Sequence, residues 1–496
     1  MNTLVIVLIA AVCLFGAYAL YGRWLANKWG IDPTAKTPAV VHEDGRDYVP
    51  TDGWTVFAHQ FSSIAGAGPV TGAIQAAAFG WLPVLLWVLL GGIFFGAVTD
   101  FGALYASVKN DGKSMGMLIE KYIGKTGRKL FLLFCWLFCG IVIAAFADMV
   151  AGTFNAYGTD GALVEAAQTN GAAGMVSIMF MVFAVIFGLL QKNLHFTGWK
   201  ENVISIVFIV LSFVVGANFP IILGKAAWSY ITFVYIFFAA VLPMWLLKQP
   251  RDHMTTFMFV AMIVGAVLGL IVNHPVMNLP VFTGFTNAKL GTMFPILFVT
   301  VACGAVSGFH ATQSPMMARC LKKEAGGRKV FYGAMIAESV IALVWAAAGV
   351  AFYGATGGLQ VALTELGQSG VVYDISLSLL GIFGGALAVI GVVVCPISSG
   401  DTAFRSARLT IADWFHVDQA KLGKRLAITI PLLGVSGLLT QLNFDVIWRY
   451  FSWSNQTLAM VPRWAEALYL VRHGEKQRDS LSCALPATFM SGVSCT

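Results

Sequence analysis

The chain has 496 residues, of which 58% are hydrophobic and only 11% are charged, and its mean hydropathy is +0.77. Because charged residues make up about a quarter of ordinary soluble domains, this composition excludes a soluble globular protein and indicates an all-α polytopic membrane protein. The net charge of +7 does not indicate a nucleic-acid partner, since the Lys and Arg residues fall in short loops between apolar runs, as membrane topology requires. The eight cysteines form no CxxC pair and no His/Cys spacing, so we expect no zinc site, no disulfide framework and no cofactor.

Apolar runs of membrane-spanning length follow one another along the chain and predict about 13 transmembrane helices. The first is expected to be a retained span rather than a cleaved signal peptide, because no basic residue precedes it and Arg23 follows it. Residues 481–496 are apolar again but too few to span, so we expect a cytosolic tail or the start of an incomplete helix. The runs lie at residues 3–21, 55–80, 82–107, 130–152, 172–190, 202–223, 227–247, 254–272, 293–310, 330–354, 376–396, 426–442 and 446–470.

The charge of the loops predicts the orientation of the chain. The loops at 109–129, 319–329 and 398–425 are rich in Lys and Arg, whereas the loops at 152–171 and 354–373 contain neither residue. Since cytoplasmic loops carry the excess of basic residues, the first three are expected inside and the other two outside. Counting spans between these loops gives an outside N-terminus and a cytoplasmic C-terminus.

The segment HQFSSIAGAGPVTG at His59–Gly72 interrupts one apolar run with polar side chains, glycines and a proline. A helix in lipid must satisfy its own backbone groups, so such a break is tolerated only where protein or a water-filled cavity covers it. The freed backbone groups of a broken helix can bind cations and anionic groups near the membrane midplane. The alternative is a tightly packed, glycine-rich helix crossing. The candidate substrate-binding residues here are His59, Gln60, Ser63, Gly66 and Gly68.

A second segment with the same features, CGAVSGFHATQSPMMARC, lies at Cys303–Cys320. Small residues and glycines lead to a histidine and then to a proline, which stops a helix and frees backbone groups. Because a histidine can exchange a proton near physiological pH, the histidines of both segments suit proton coupling. The alternative for each is a neutral side chain that hydrogen-bonds across helices. The candidate substrate-binding residues are His310, Thr312, Gln313 and Ser314.

Ionisable groups inside apolar runs are costly, so each is a candidate functional residue. Asp100 lies late in its run and Glu338 lies about two turns into its own run. We expect both to serve in proton coupling or gating. Asp148 lies near the outer end of its run, where its alternative role is simply to reach the membrane interface.

A third polar cluster, CPISSGDTAFRSAR, lies at Cys395–Arg408. The hydroxyls of Ser398 and Ser399 make a candidate cation site, although no metal is otherwise indicated. Asp401 and Arg405 have the i, i+4 spacing of an ion pair and are candidate gating residues. The alternative is an ordinary helix-cap region.

These segments, together with WSNQTLA at 453–459, resemble the carbon starvation protein A family of bacterial inner-membrane proteins over nearly the whole chain. The resemblance implies a transporter of the amino acid, polyamine and organocation superfamily, associated with uptake of peptides and, in some relatives, pyruvate during nutrient limitation. It also implies a LeuT-like core of two inverted five-helix repeats, each opened by a broken helix. Many relatives continue into further spans where this sequence stops at Thr496.

The resemblance predicts how a single transmembrane transporter domain at 1–480 is organised. Residues 1–54 are an N-terminal helix and loop, 55–223 are repeat one, 227–272 are an inserted hairpin and 293–470 are repeat two. In sodium-coupled members of the superfamily, the position of Ser398 and Ser399 supplies hydroxyl ligands that face the first broken helix. The serines therefore keep a sodium ion as an alternative to the proton.

The expected function is a secondary active transporter that imports short peptides or small carboxylates with protons across the bacterial inner membrane, surrounded by membrane lipid. The alternatives are a sodium-coupled transporter of amino acids or carboxylates and a channel. A channel agrees less well with inverted repeats and titratable groups. We expect no enzyme, because the sequence has no HExxH pattern.

Overall fold

The architecture comes from a computed structural model of the chain. It describes residues 3–496 except 46–47, 67, 159, 195–197, 274–275, 278, 288–289, 354–355, 366, 418, 420, 443 and 474–476. At 356–357, 364–365, 367–369, 379–380, 382–383, 385–395, 413, 444–445, 473 and 477–478 it describes the backbone only.

Most of the described chain is helical, as long apolar runs in lipid require, because a helix satisfies its own backbone hydrogen bonds. The first helices are α1 (Thr3–Ala19), α2 (Tyr21–Lys28), α3 (Pro38–Val41), α4 (Gly53–Ile64), α5 (Gly68–Ala76), α6 (Trp81–Leu90), α7 (Ala97–Val108), α8 (Met115–Tyr122), α9 (Lys125–Phe154), α10 (Ala167–Leu194) and α11 (Trp199–Asn218). The remaining helices are α12 (Lys225–Val241), α13 (Lys248–Asn273), α14 (Met293–Thr300), α15 (Ala302–Ala305), α16 (Phe309–Ala318), α17 (Gly333–Phe352), α18 (Thr356–Glu365), α19 (Gly367–Trp414), α20 (Leu422–Leu439), α21 (Phe444–His473) and α22 (Leu481–Cys495).

Shorter elements complete the chain. A π-helical turn at Gly91–Gly96 joins α6 to α7, and another at Arg328–Tyr332 leads into α17. A small antiparallel ribbon pairs β1 (Thr286–Asn287) with β2 (Gly291–Thr292), with Thr286 opposite Thr292. Three-residue and four-residue 3₁₀ turns lie at Ala77–Phe79, Glu324–Gly326 and Gln477–Ser480.

Eight helices in the described residues are long and apolar enough to cross a membrane. Each of the 13 predicted apolar runs coincides with a helical segment, but the two broken segments, the shorter helix α12 and the long helices α19 and α21 fall outside that group of eight. A multi-pass helical membrane protein is therefore confirmed, and the number of 13 spans stays a prediction.

Both predicted helix breaks are present. The first lies between α4, which ends at Ile64, and α5, which begins at Gly68. The second contains two interruptions, since α14 ends at Thr300, α15 covers Ala302–Ala305, and α16 begins at Phe309.

The two broken segments touch each other through small residues. A Cβ added at Gly72 of α5 would overlap with the carbonyl oxygen of Thr300, and one added at Gly68 would come within 2.7 Å of Sγ of Cys303. Backbones can approach this closely only where a side chain is missing. The glycines thus serve a close crossing as well as the break, so the two sequence interpretations of this segment are compatible.

The packing around α13 bears on the predicted organisation of the repeats, which stays a prediction. Residues 227–272 were predicted to be an inserted hairpin, yet α13 packs against α4 and α19 in the middle of the bundle. Helices α10 and α11, which were assigned to repeat one, pack mainly on each other. These contacts favour α10 and α11 as the peripheral pair.

The segment after residue 480 is a helix packed on α21. Trp453 Nε1 donates to the carbonyl oxygen of Ser494 at 3.0 Å, and Trp464 Nε1 donates to Ser491 Oγ at 3.3 Å. Near the start of α22, Sγ of Cys483 lies 3.9 Å from Oε2 of Glu466. Of the two alternatives for residues 481–496, this packing favours a helix over a free tail.

Candidate functional site

Helix α13 carries three charged side chains into the core of the bundle. Lys248 and Arg251 are each 1% exposed and Asp252 is fully buried. The apolar runs at 227–247 and 254–272 predict a loop at residues 248–253, and this prediction is wrong because α13 begins at Lys248. The i, i+4 spacing of Lys248 and Asp252, which places both on one helix face, was the signal that could have identified them.

These charges form an ionic network with Asp401 of α19, which is also fully buried. Lys248 Nζ lies 3.1 Å from Oδ2 of Asp252 and 3.2 Å from Oδ1 of Asp401. Arg251 donates to Oδ1 of Asp252 at 2.6 Å through Nη2 and pairs with Asp401 through Nη1. Two cations therefore balance two carboxylates, as buried charges require.

The first broken helix joins this network through His59 of α4. Its Nδ1 lies 2.5 Å from Oδ2 of Asp252, and the ring is 2% exposed. Tyr235 of α12 donates its hydroxyl to Oδ2 of Asp401 at 3.0 Å. Four helices, α4, α12, α13 and α19, thus meet at one charged centre.

The two serines of the candidate cation site lie in the same place. Ser398 donates to Oδ1 of Asp252 at 3.0 Å, and Ser399 donates to the carbonyl oxygen of Ser63 at 3.2 Å, next to the first break. The ammonium of Lys248 donates to Ser63 Oγ at 3.4 Å. Nη2 of Arg251 donates to Ser398 Oγ at 3.0 Å, so a protein cation already contacts one of the two hydroxyl groups that were predicted to ligate a metal cation.

Arg405 does not form the predicted ion pair with Asp401. Its Nη2 donates instead to the backbone carbonyls of Ala239 and Leu242, at 2.9 Å and 2.8 Å. Asp401 is paired instead with Lys248 and Arg251, which lie about 150 positions earlier in the chain, and sequence spacing could not indicate these partners. Arg405 therefore connects α19 to the C-terminal end of α12 and makes no ion pair within α19.

A second polar cluster joins the two broken segments. Gln60, next to His59 on α4, donates from Nε2 to Oδ1 of Asp100 at 2.7 Å and to Ser314 Oγ at 3.3 Å. Ser314 of α16 donates to the same carboxylate oxygen. All three side chains are fully buried. His59 and Gln60 therefore connect the ionic network on one side of α4 with a carboxylate on the other.

Further candidate residues are His310 and Gln313 of the second segment, Glu338 of α17 and the glycine Gly66. His310 and Gln313 of α16 and Glu338 of α17 are fully buried, and none of their polar side-chain atoms has a hydrogen-bond partner in the part of the chain that the structure describes. Among the glycines, a Cβ at Gly66 would come within 3.0 Å of Oγ of Ser399. Some of the predicted residues thus contact other protein groups, whereas His310, Gln313 and Glu338 keep polar atoms that are available to a ligand.

Two charged residues of α21 were missed by the sequence analysis. Arg463 is 1% exposed and Glu466 is 3% exposed. Arg463 donates to Thr99 Oγ1 of α7, the helix that carries Asp100, and to the carbonyl oxygen of Phe95 in the π-helical turn before α7. Their i, i+3 spacing inside an apolar run was the available signal.

A cavity of about 490 Å³ lies beside α16, between α8, α9 and α19. It brings hydroxyl, thioether and guanidinium groups together, and Thr312 is the candidate residue on its wall. Its lining includes Thr312, Met316, Arg319, Ser406, Thr410 and Met115.

Comparison with known proteins places these features in a family. The model of the family described as "Carbon starvation protein CstA" matches residues 2–370. The chain is 36% identical to the peptide transporter CstA of Escherichia coli over 357 residues, which is 68% of this chain and 49% of that protein. It is 35% identical to the pyruvate/proton symporter BtsT of the same organism over 358 residues, 68% of this chain and 48% of that protein. The chain therefore spans about half the length of these two relatives.

Two further comparisons cover nearly all of the chain. The peptide transporter CstA of Bacillus subtilis is 29% identical over 552 residues, 99% of this chain and 89% of that protein. The crystal structure of MhsT in complex with L-phenylalanine aligns with a TM-score of 0.52 at 12% identity, covering 90% of this chain and 96% of that one. The similarity to MhsT shows that the chain has the LeuT-type fold. The chain belongs to the carbon starvation protein CstA family.

Proposed function

We propose that the chain forms a proton-coupled secondary transporter that imports short peptides or small carboxylates such as pyruvate across the bacterial inner membrane. The names of its relatives, peptide transporters and a pyruvate/proton symporter, support this substrate range. The shared transporter fold supports alternating access around the broken helices.

The observation that carries this proposal is the ionic network at the first helix break. Asp252 contacts His59 of α4, while Asp401 and Ser398 belong to α19. In the packed network the two cations keep Asp252 ionised, so it binds a proton only where the network opens, and that proton then removes one of four balanced charges and weakens the contact that holds α4 to α13. A proton that binds from one side of the membrane thus changes the packing of the broken helix, which is what coupling requires.

The same network favours the proton over sodium. Sodium at Ser398 and Ser399 would place a third positive charge beside Lys248 and Arg251, which already neutralise both carboxylates. Repulsion between like charges in a buried site is strong. Sodium coupling therefore remains the alternative, and the uptake experiment below separates the two.

We place the substrate at the two breaks, where Gln313 and His310 offer polar atoms without partners among the described residues. Gln60 and His59 contribute less directly, because they contact Asp100 and Asp252. The cavity with Thr312 and Arg319 on its wall then serves as the release route to the cytoplasm.

The contacts suggest a revised assignment of the repeats. In repeat one the fifth helix is α13, which packs on the broken helix α4; in repeat two the fifth helix is α21, which packs on the broken helix α16. This equivalence makes α10 and α11 the inserted pair instead of residues 227–272. Removing either pair leaves the direction of every other span unchanged, so the outside N-terminus and cytoplasmic C-terminus are retained in this proposal.

The proposal is tested by uptake of radiolabelled alanyl-alanine and pyruvate into liposomes that contain the full chain. Uptake is expected to rise with an inward proton gradient, to collapse with a protonophore, and to continue when choline replaces sodium. Asp252→Asn should lose the dependence on the gradient, whereas Asp148→Asn, whose partner Lys225 is 49% exposed, should keep it. A strict sodium requirement without an effect of the proton gradient would overturn the coupling mechanism.

A further inference from the structure

Glu338 carries a buried carboxyl group that has neither a cation nor a hydrogen-bond donor beside it among the described residues. It lies inside α17, is fully buried, and neither of its oxygens has a hydrogen-bond partner among the described residues. An isolated carboxylate in an apolar interior costs far more than the neutral acid, so such a group keeps its proton. The side chain is therefore a proton-binding group within the bundle.

Other acidic groups face the same region from neighbouring helices. Glu338 interacts electrostatically with Asp100 of α7 and with Cys303 of α15. Asp100 in turn interacts with Glu466 of α21. Oδ1 of Asp100 is occupied by Gln60 and Ser314, but its Oδ2 and Oε1 of Glu466 have no partner in the described part of the chain. Like charges that interact inside a buried region favour retention of a proton.

Positive charge in this region is supplied by Arg463. Its Nε and Nη2 are used by Thr99 and Phe95, while Nη1 is buried without a partner among the described residues. The groups that face Arg463 electrostatically are Glu466, Cys483, Tyr21 and His310. One guanidinium cannot balance three carboxylates, in contrast to the two-against-two balance of the ionic network.

We propose that Glu338, together with Asp100 and Glu466, forms a second proton-binding site, separate from the ionic network around Asp252 and Asp401. This inference rests on the proposed function and adds one proton to the number carried with each substrate. The proton comes from water on one side, binds a carboxylate oxygen of Glu338, and leaves to water on the other side when α17 separates from α4, against which it packs. Gln60, which follows His59 on α4, is the physical link through which the two sites sense the same movement.

The experiment measures the number of protons per substrate from reversal potentials in liposomes that contain the full chain. Wild-type protein is compared with Glu338→Gln, which imitates the protonated acid in shape and polarity and should therefore fold. The variant is expected to move one proton fewer per substrate. The matched control Glu165→Gln, at an exposed residue, should keep the wild-type ratio.

The result separates this inference from the proposed function. An unchanged ratio in Glu338→Gln, with proton-driven uptake intact, overturns the second site alone, whereas a wild type that ignores the proton gradient overturns the proposed function. Infrared spectroscopy gives a readout that needs no transport. The carbonyl band of a protonated buried carboxylic acid should be present in the wild type at neutral pH and reduced in the folded variant; its absence from the wild type would overturn the inference.

Discussion

Lys248 Nζ lies 3.2 Å from Oδ1 of Asp401, although 153 positions separate the two residues in the chain. The contact fastens α13 to α19 beside the first helix break. Both side chains are at most 1% exposed, so neither charge can be left to solvent if the other is removed. This makes the pair the most sensitive point of the ionic network.

Lys248→Met is therefore expected to destabilise the protein by about 3–5 kcal/mol, because it leaves two buried carboxylates with a single cation. Lys248→Met combined with Asp401→Asn should recover much of that loss, since one Arg and one Asp then remain in balance. Chemical unfolding of the purified protein in detergent measures both values. Lys225→Ala, which breaks an exposed pair with Asp148, is the control and should change the stability by no more than about 1 kcal/mol. Equal losses in the single and double variants would contradict the charge-balance argument.

The contact between the broken segments gives a prediction about packing. Gly72→Ala should destabilise the protein by roughly 1–3 kcal/mol, because the added methyl group overlaps with the carbonyl oxygen of Thr300. The matched control is Gly152→Ala in α9, where a Cβ meets no heavy atom within 4 Å. Thermal unfolding followed by tryptophan fluorescence distinguishes the two. If Gly72→Ala were as stable as the control, the two broken segments would not be in this close contact.

The substrate site gives a prediction about affinity. His310→Ala and Gln313→Ala should raise the half-saturation constant of uptake or abolish uptake, because each loss of a substrate hydrogen bond costs roughly 1–3 kcal/mol, about ten- to a hundredfold in binding. Stability should change little. Gln168→Ala, at an exposed residue of α10, is the control for the amide truncation. Normal transport by either variant, or loss of folded protein in both, would show that these residues are structural.

The loop charges give a prediction about orientation. A cysteine at Ala162 should react with a membrane-impermeant maleimide added outside intact cells, because the loop around it contains no basic residue and is expected outside. Ala162 is preferable to its neighbour Gly161, whose φ of +76° favours glycine. The exposed native residues Cys13 and Cys495 are first replaced by serine. Labelling only after the cells are opened would reverse the proposed topology and with it the direction of both repeats.

The sequence alone determined the class of the protein, the positions of its apolar helices and the two helix breaks. These properties are local: hydropathy over about 20 residues decides whether a segment enters lipid, and glycine or proline decides where a helix is interrupted. The motifs in the same segments also identified the family. The break between Ile64 and Gly68 lies inside the segment His59–Gly72 that the sequence indicated.

Only the tertiary structure decided which polar residues meet. The sequence predicted a loop where α13 carries Lys248, Arg251 and Asp252, and it did not single out Arg463 and Glu466 of α21. The reason is the same in both cases, because a sequence does not show which distant side chain will neutralise a charge. Asp401 was matched to Arg405 by spacing, whereas its partners come from α13, about 150 positions away. Burial makes such pairing obligatory, but the identity of the partner depends on how whole helices pack, and that is a long-range property of the fold.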